Sequence, residues 1–316
     1  MTRSDGGPGT DGPYAEAVDR RSSDQYLDEE IVSGLVATQF PDLAGREVTE
    51  LGAGWDHELF SVGGGWIFRF PRRAERVAWL TREIEINAVV AGALGPRVPV
   101  FERIGEPSSA YPYPFVGYRR LPGVGADQGR AADLDGLAAD VGTLFAALHR
   151  IDPGRVPPTP DGWENEPWGE LRAGLTSVAA LARPLLGASL LALAEPYLSG
   201  DVREPPQDGP RRFIHNDICP DHLIVDRHTG RLNGLIDFTD AMAGDPVHDF
   251  VGLIGIGGYR FISRVAARYD LPLGGSFGTR LQWLSRVLTL TWLADAAAHD
   301  PASVPKHLSW VTHAFS

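Results

Sequence analysis

Apolar positions recur with helical spacing from Leu27 to Phe40, where Leu27, Ile31, Leu35 and Val36 share one face. Three strand-length runs follow: Val48 to Gly52, His57 to Val62 and Trp66 to Phe70. Gly63, Gly64 and Gly65 join the last two, a composition that suits a hairpin turn. Pro71 ends the third run, because its ring removes a ladder donor. From Ala74 to Leu94 the helical period returns, with Val77, Leu80, Ile84 and Val89 near one face. Val98 to Ile104 and Phe115 to Leu121 read as two more strands before Pro122 and Gly123 break the pattern.

Beyond Gly123 the character changes. Leu134 to Ile151 is a strongly amphipathic helix, Pro153 to Gly169 a Pro-rich connection, and two helices are expected between Leu171 and Leu198. A Pro, Asp and Gly loop from Ser199 to Pro210 leads into short apolar strands at Phe213 to His215, Leu223 to Val225 and Leu232 to Ile236. Helical sequence fills Val247 to Phe315, and no internal repeat is visible. The pattern predicts an α+β chain with a disordered leader over residues 1–24, a β-rich N-terminal lobe over 25–121 and a mostly helical C-terminal lobe over 122–316.

Composition narrows the function classes. A net charge of -12 over 316 residues argues against broad binding to nucleic acid or anionic membranes, and suits a cationic small-molecule partner. One cysteine, Cys219, excludes an internal disulfide framework and any multi-cysteine zinc site. The leader lacks the apolar core of a secretory signal. The most apolar stretch, Val178 to Leu198, is broken by Arg183, Pro184, Glu195 and Pro196, so no membrane span is expected. These features predict a soluble, cytoplasmic protein and a monomer. Lys306, near the C-terminus, is the only lysine. That excludes a Gly-Lys-Ser/Thr phosphate loop and makes arginine the side-chain cation for any phosphate the protein handles.

The densest chemistry lies between Phe213 and Phe238. An apolar strand delivers His215, Asn216 and Asp217 into a turn containing Pro220; His222 follows five residues after Asp217, and Asp237 closes the next strand but one. Asp217 at a strand end can accept a proton from a hydroxyl nucleophile. His222 and Asp237 carry side chains able to hold a divalent cation; Mg²⁺ prefers oxygen, so imidazole is the less usual partner. An isolated His-x-Asp more often braces a turn, but the added His222 and Asp237 between apolar flanks favour a catalytic centre.

This pattern resembles the protein-kinase-like superfamily, whose catalytic loop is His-x-Asp with a metal ligand five residues later and an Asp-Phe-Gly-type aspartate beyond. More closely it resembles the antibiotic phosphotransferases, the aminoglycoside and macrolide kinases. His215, Asn216 and Asp217 are similar to the His-Asn-Asp of the aminoglycoside 2''-phosphotransferases. His222, where most kinases carry Asn, resembles the macrolide 2'-phosphotransferases, as does the run Leu235 to Ala241. Gly244 to Phe250 matches the family's Asp-Pro-x-x-Asp-Phe, mostly structural there.

The resemblance implies a two-lobed fold and assigns roles in the N-terminal half. The run Leu51 to Asp56 sits where a phosphate-covering loop belongs, so backbone amides of Gly52 to Gly54 are expected over the nucleotide. Arg69, on the third strand, stands where kinases have lysine, and Glu83, fourteen residues on, is its expected pair. Arg69 is expected on the opposite face from Phe68 and Phe70. Phe68 to Arg73 resembles the corresponding strand of both antibiotic kinase classes. Backbone groups at Arg119 to Leu121 are expected to hold the purine edge, and the likeness spans about residues 45 to 255.

The implied activity moves the γ-phosphoryl of ATP or GTP to a hydroxyl of an antibiotic, a macrolide ahead of an aminoglycoside, with Asp217 as base and Mg²⁺ on His222 and Asp237. Two rivals stand beside it: a non-haem iron oxygenase using His215, Asp217 and either His299 or His313, and a kinase-like binding module without turnover. His149 and Asp249 read as structural hydrogen-bonding residues, Cys219 as a small loop residue, Trp163 and Trp168 as cleft or core, and Asp240 as a possible amine contact.

Overall fold

The computed structural model describes residues 23–54, 56–128, 133–162 and 168–316. Trp55, Trp163 and nearly all of the expected leader lie outside them. The chain divides into two compact units, one running through Val77 with Glu102–Tyr118, the other comprising Ala78–Phe101 and Arg119–Ser316.

The first unit is a five-stranded sheet with one helix. Helix α1 (Glu29–Gln39) starts at Asp28, whose carboxylate accepts the Ile31 N–H at 2.8 Å, and buries Val32, Leu35 and Val36. The strands are β1 (Val48–Ala53), β2 (His57–Val62), β3 (Trp66–Pro71), β4 (Phe101–Gly105) and β5 (Phe115–Arg119), in the order β1-β2-β3-β5-β4. In the β2–β3 hairpin Val62 pairs with Trp66 across the three glycines; Gly63 and Gly64 have φ of 58° and 68°, which a β-carbon would resist. Phe60, Val62, Trp66, Phe68 and Phe70 face the same core as α1, and Phe70 stacks on Phe115 at 4.6 Å. Arg69 points to the other face, as alternation requires.

The second unit begins in helix α2 (Val77–Leu94). The apolar pattern placed Val77, Leu80, Ile84 and Val89 on its inner face, but the buried stripe runs through Leu80, Glu83, Ile86, Asn87, Val90 and Leu94. Polar side chains lie inside because each has a partner: Asn87 donates to the Pro99 carbonyl at 2.7 Å and accepts the Phe101 N–H at 3.0 Å. The sequence placed α2 with the strands before it; its apolar side packs into the larger helical core. A 3-10 turn at Gly95–Arg97 delays β4 to Phe101.

Then come β6 (Val124–Gly125), α3 (Leu134–Leu148), α4 (Trp168–Ala182) and α5 (Ala188–Leu198), followed by β7 (Arg212–Ile214), β8 (Leu223–Val225), β9 (Leu232–Leu235) and β10 (Met242–Gly244). Helices α6 (Val247–Val251), α7 (Ile254–Ala266), α8 (Phe277–His299) and α9 (Val304–Ala314) complete it. β6, β8 and β9 form one small sheet, β10 and β7 another. The Pro-rich connection ends against the core: Trp168 is buried and stacks on Trp283 of α8 at 5.2 Å. Among the described residues no helix is long and apolar enough to cross a membrane.

Candidate active site

The loop after β7 is held from below by one carboxylate. Asp249 of α6, fully buried, accepts the backbone N–H of His215 at 2.9 Å and of Asn216 at 2.7 Å, and His149 Nε2 of α3 at 2.9 Å. Burial pushes the Asp249 pKa up, but the His149 hydrogen bond, the electrostatic pull of the two imidazoles and the His215 amide together hold it below the ordinary carboxylate value. With its amide clamped, Asn216 adopts φ of 66°, left-handed for a non-glycine residue. His149 also shares a hydrogen bond with the Tyr269 hydroxyl at 2.9 Å, so both residues read as structural serve the loop.

His215 ties two loops together. Its Nε2 donates to the Ile236 carbonyl at 3.0 Å, and its Nδ1 accepts the Asp217 N–H at 3.3 Å. A carbonyl only accepts, so the ring is neutral with its proton on Nε2. Burial pushes its pKa down to about 4, consistent with that state. Ile236 is gripped twice, since its N–H donates to the His222 carbonyl at 3.1 Å. The next residue, Asp237, takes φ of 66°. One buried imidazole therefore sets both the start of the Asp217 loop and the approach to Asp237.

Asp217 and His222 are brought together: Nδ1 of His222 donates to the Asp217 carbonyl at 2.7 Å and lies 3.5 Å from its carboxylate. Nδ1 thereby carries a proton, and Nε2 is the nitrogen that offers a lone pair to a ligand when the ring is neutral. Burial raises the Asp217 pKa, and the charges of Asp237, Asp221 and Asp249 add to that against His222. The side chain is still 49% exposed, so the hydration it keeps limits the rise. Burial lowers the His222 pKa, but the charges of Asp217 and Asp237 outweigh it and the net shift is upward.

Asp237 Oδ1 receives Thr239 Oγ1 at 2.9 Å, and the same hydroxyl lies 3.0 Å from Glu83 Oε2. One hydroxyl has one proton, so it serves one carboxylate at a time. The sequence reading missed Arg82. Buried beside Glu83, it donates to the carbonyls of Thr239 at 2.8 Å, of Ala241, and of Pro157 at 3.1 Å, which pins the segment after Asp237. Burial lowers its pKa against the charges of Asp240, Glu83 and Asp161.

In the first unit, Arg69 is 5% exposed and its Nη2 donates to Nδ1 of His57 at 3.2 Å. Gly52 sits at φ of 118° where the β1–β2 register slips. The Gly54 N–H donates to the His57 carbonyl at 2.9 Å, so that amide closes the turn. Arg119, exposed, ends β5, and Leu121 follows half-buried in the second unit.

Among the described residues, ligand atoms of Asp217, Cys219 and His222 lie within 4.8 Å of one another. Burial pushes the Cys219 thiol far up, so it stays protonated and a poor ligand. What remains of that group is the Asp217 carboxylate and the His222 imidazole, to which a hard divalent cation would add water and phosphate oxygens; Asp237, the other expected ligand, is not among the three. The distal histidines of the iron reading do not join: His299 bonds Asp295 at 2.9 Å and His313 the Ile254 carbonyl at 2.9 Å. Lys306 is not isolated; its ammonium lies 3.7 Å from Asp221, in the loop that carries Asp217. A cavity of about 670 Å³ borders the segment after Asp237, lined by Arg82, Pro157, Pro158, Trp168, Met242 and His248.

Residues 47–281 match the model of the phosphotransferase enzyme family. The chain belongs to that family. The uncharacterized protein YcbJ of Bacillus subtilis (strain 168) is 26% identical over 230 residues, covering 70% of this chain and 72% of that one. The GDP complex of wild-type aminoglycoside 2'-phosphotransferase-IIIa matches with a TM-score of 0.69 at 25% identity, over 91% of this chain and 98% of the other. The apoenzyme of macrolide 2'-phosphotransferase MphH from Brachybacterium faecium matches with a TM-score of 0.61 at 19% identity, over 90% and 97%, a likeness of fold. The expected architecture, a protein-kinase-like fold with a β-rich N-terminal and a helical C-terminal part, is thereby shown.

Proposed function

We propose that this phosphotransferase moves the γ-phosphoryl of ATP or GTP to a hydroxyl of a small-molecule antibiotic and so confers resistance. The observation that carries the reading is the loop on which Asp217 stands, clamped by Asp249 and indexed through His215 to Asp237. Asp217 accepts the hydroxyl proton as the oxygen attacks, and its raised pKa makes it a stronger base than an exposed carboxylate. His222, through Nε2, and Asp237 are the residues to hold Mg²⁺, which when bound neutralises charge on the phosphates. Arg69, paired with Glu83, steadies the α- and β-phosphates, the Gly52 to Gly54 turn covers them, and the backbone at Arg119 to Leu121 takes the purine edge. Such catalysis is chiefly positioning and charge neutralisation.

The acceptor is read as a cationic antibiotic, a macrolide first because of His222 and the run Leu235 to Ala241. An aminoglycoside is the second reading, favoured by the match at 25% identity to an aminoglycoside phosphotransferase. The protein is read as a cytoplasmic monomer. The test is phosphate transfer by purified protein with Mg²⁺ and either nucleotide to a panel of macrolides, aminoglycosides and peptide antibiotics. Transfer to at least one supports the reading; nucleotide binding without transfer to any favours the binding-module rival.

A further inference from the structure

His57 and Arg69 occupy one face of the β2–β3 hairpin, where Leu59 pairs with Arg69 and His57 is the diagonal neighbour. Both are buried, at 4% and 5% exposure, and 3.2 Å separates Nδ1 from Nη2. Guanidinium has no acceptor, so Nδ1 must present its lone pair and the imidazole proton sits on Nε2. We propose that His57 is a positioning residue that orients Arg69 for phosphate. This rests on the reading of Arg69 as the phosphate cation.

Three features argue for it. Arginine binds phosphate through a planar fork, so its use depends on the plane in which the fork is held. The imidazole adds an uncharged acceptor to Arg69, so this contact holds the fork without subtracting from its positive charge. His57 also accepts the Gly54 N–H on its carbonyl, so one residue links the glycine turn through its backbone and the cation through its ring.

The experiment measures displacement of a fluorescent nucleotide in Mg²⁺ by ATP and GTP, with the fold of every variant checked by circular dichroism. His57→Ala is expected to weaken nucleotide binding about tenfold, the loss of one charge-assisted hydrogen bond. His57→Gln, which keeps an acceptor, stays within about threefold of the parent. In an Arg69→Lys background the His57→Ala loss shrinks below about twofold, because the fork it orients is gone. If His57→Ala does not fold, His57→Leu, of similar bulk and without an acceptor, replaces it. Equal losses in the two backgrounds, or Gln no better than the apolar variant, overturn the positioning role and leave the phosphate reading standing. Unchanged nucleotide affinity in Arg69→Ala instead brings down the phosphate reading itself.

Discussion

The carboxylate of Asp217 keeps solvent access while its backbone is held by a buried neighbour, an arrangement that suits proton transfer to a bound hydroxyl. Asp217→Asn is expected to lower turnover about 10³-fold and leave nucleotide affinity within about twofold, read from a coupled assay and a displacement titration. Asp249 acts one layer down. Asp249→Asn removes the charge that gathers the His215 and Asn216 amides and His149, and is expected to cost about 1–3 kcal/mol in thermal unfolding. The pH dependence follows from its depressed pKa. The stability this group contributes is complete above the unfolded carboxylate value of about 3.9 and is lost as pH falls through the lower folded value. Melting temperatures measured below pH 5 therefore fall less steeply in the Asn variant than in the parent.

Between elements, the end of α6 approaches the loop that carries Asp217 closely. A β-carbon on Gly252, at the end of α6, falls 1.8 Å from the Ile218 carbonyl oxygen. Backbone cannot move aside as a side chain does, so Gly252→Ala is expected to cost about 1–3 kcal/mol and to lower kcat as the loop shifts. A variant with unchanged stability and kcat speaks against rigid seating of the loop on α6. How much of this was legible depends on where the information lies. β2 and the gathering of His215, Asp217 and His222 into one loop were readable because alternation and motif spacing are local. β6 and β10, at two and three residues, are too short to show a period. The inner face of α2 was misread because Arg82, Glu83 and Asn87 are buried by partners distant in sequence. The left-handed conformers at Asn216 and Asp237 carry no glycine to announce them, and His57 gains meaning only when β2 and β3 lie side by side.

For the whole molecule, metal and fold are expected to separate. The candidate ligands His222 and Asp237 are hydrogen-bonded to protein groups regardless of any ion. EDTA should abolish turnover while leaving the melting temperature of the nucleotide-free protein unchanged; a large drop would assign the ion a structural role. Nucleotide with Mg²⁺ should raise that temperature, since ligand at about 100 times Kd adds about 2.7 kcal/mol. The lysine economy of the chain has a practical consequence. Lys306 offers the only side-chain amine, its nitrogen 3.7 Å from Asp221 and 5.0 Å from the centre of the Trp310 ring. Reductive methylation with ¹³C-formaldehyde keeps the positive charge and places a single ε-dimethylamine resonance beside the loop that carries Asp217. Its chemical shift, moved by the ring current of Trp310 and distinct from that of the methylated α-amine, becomes a reporter by which nucleotide, metal and acceptor can each be followed as they arrive.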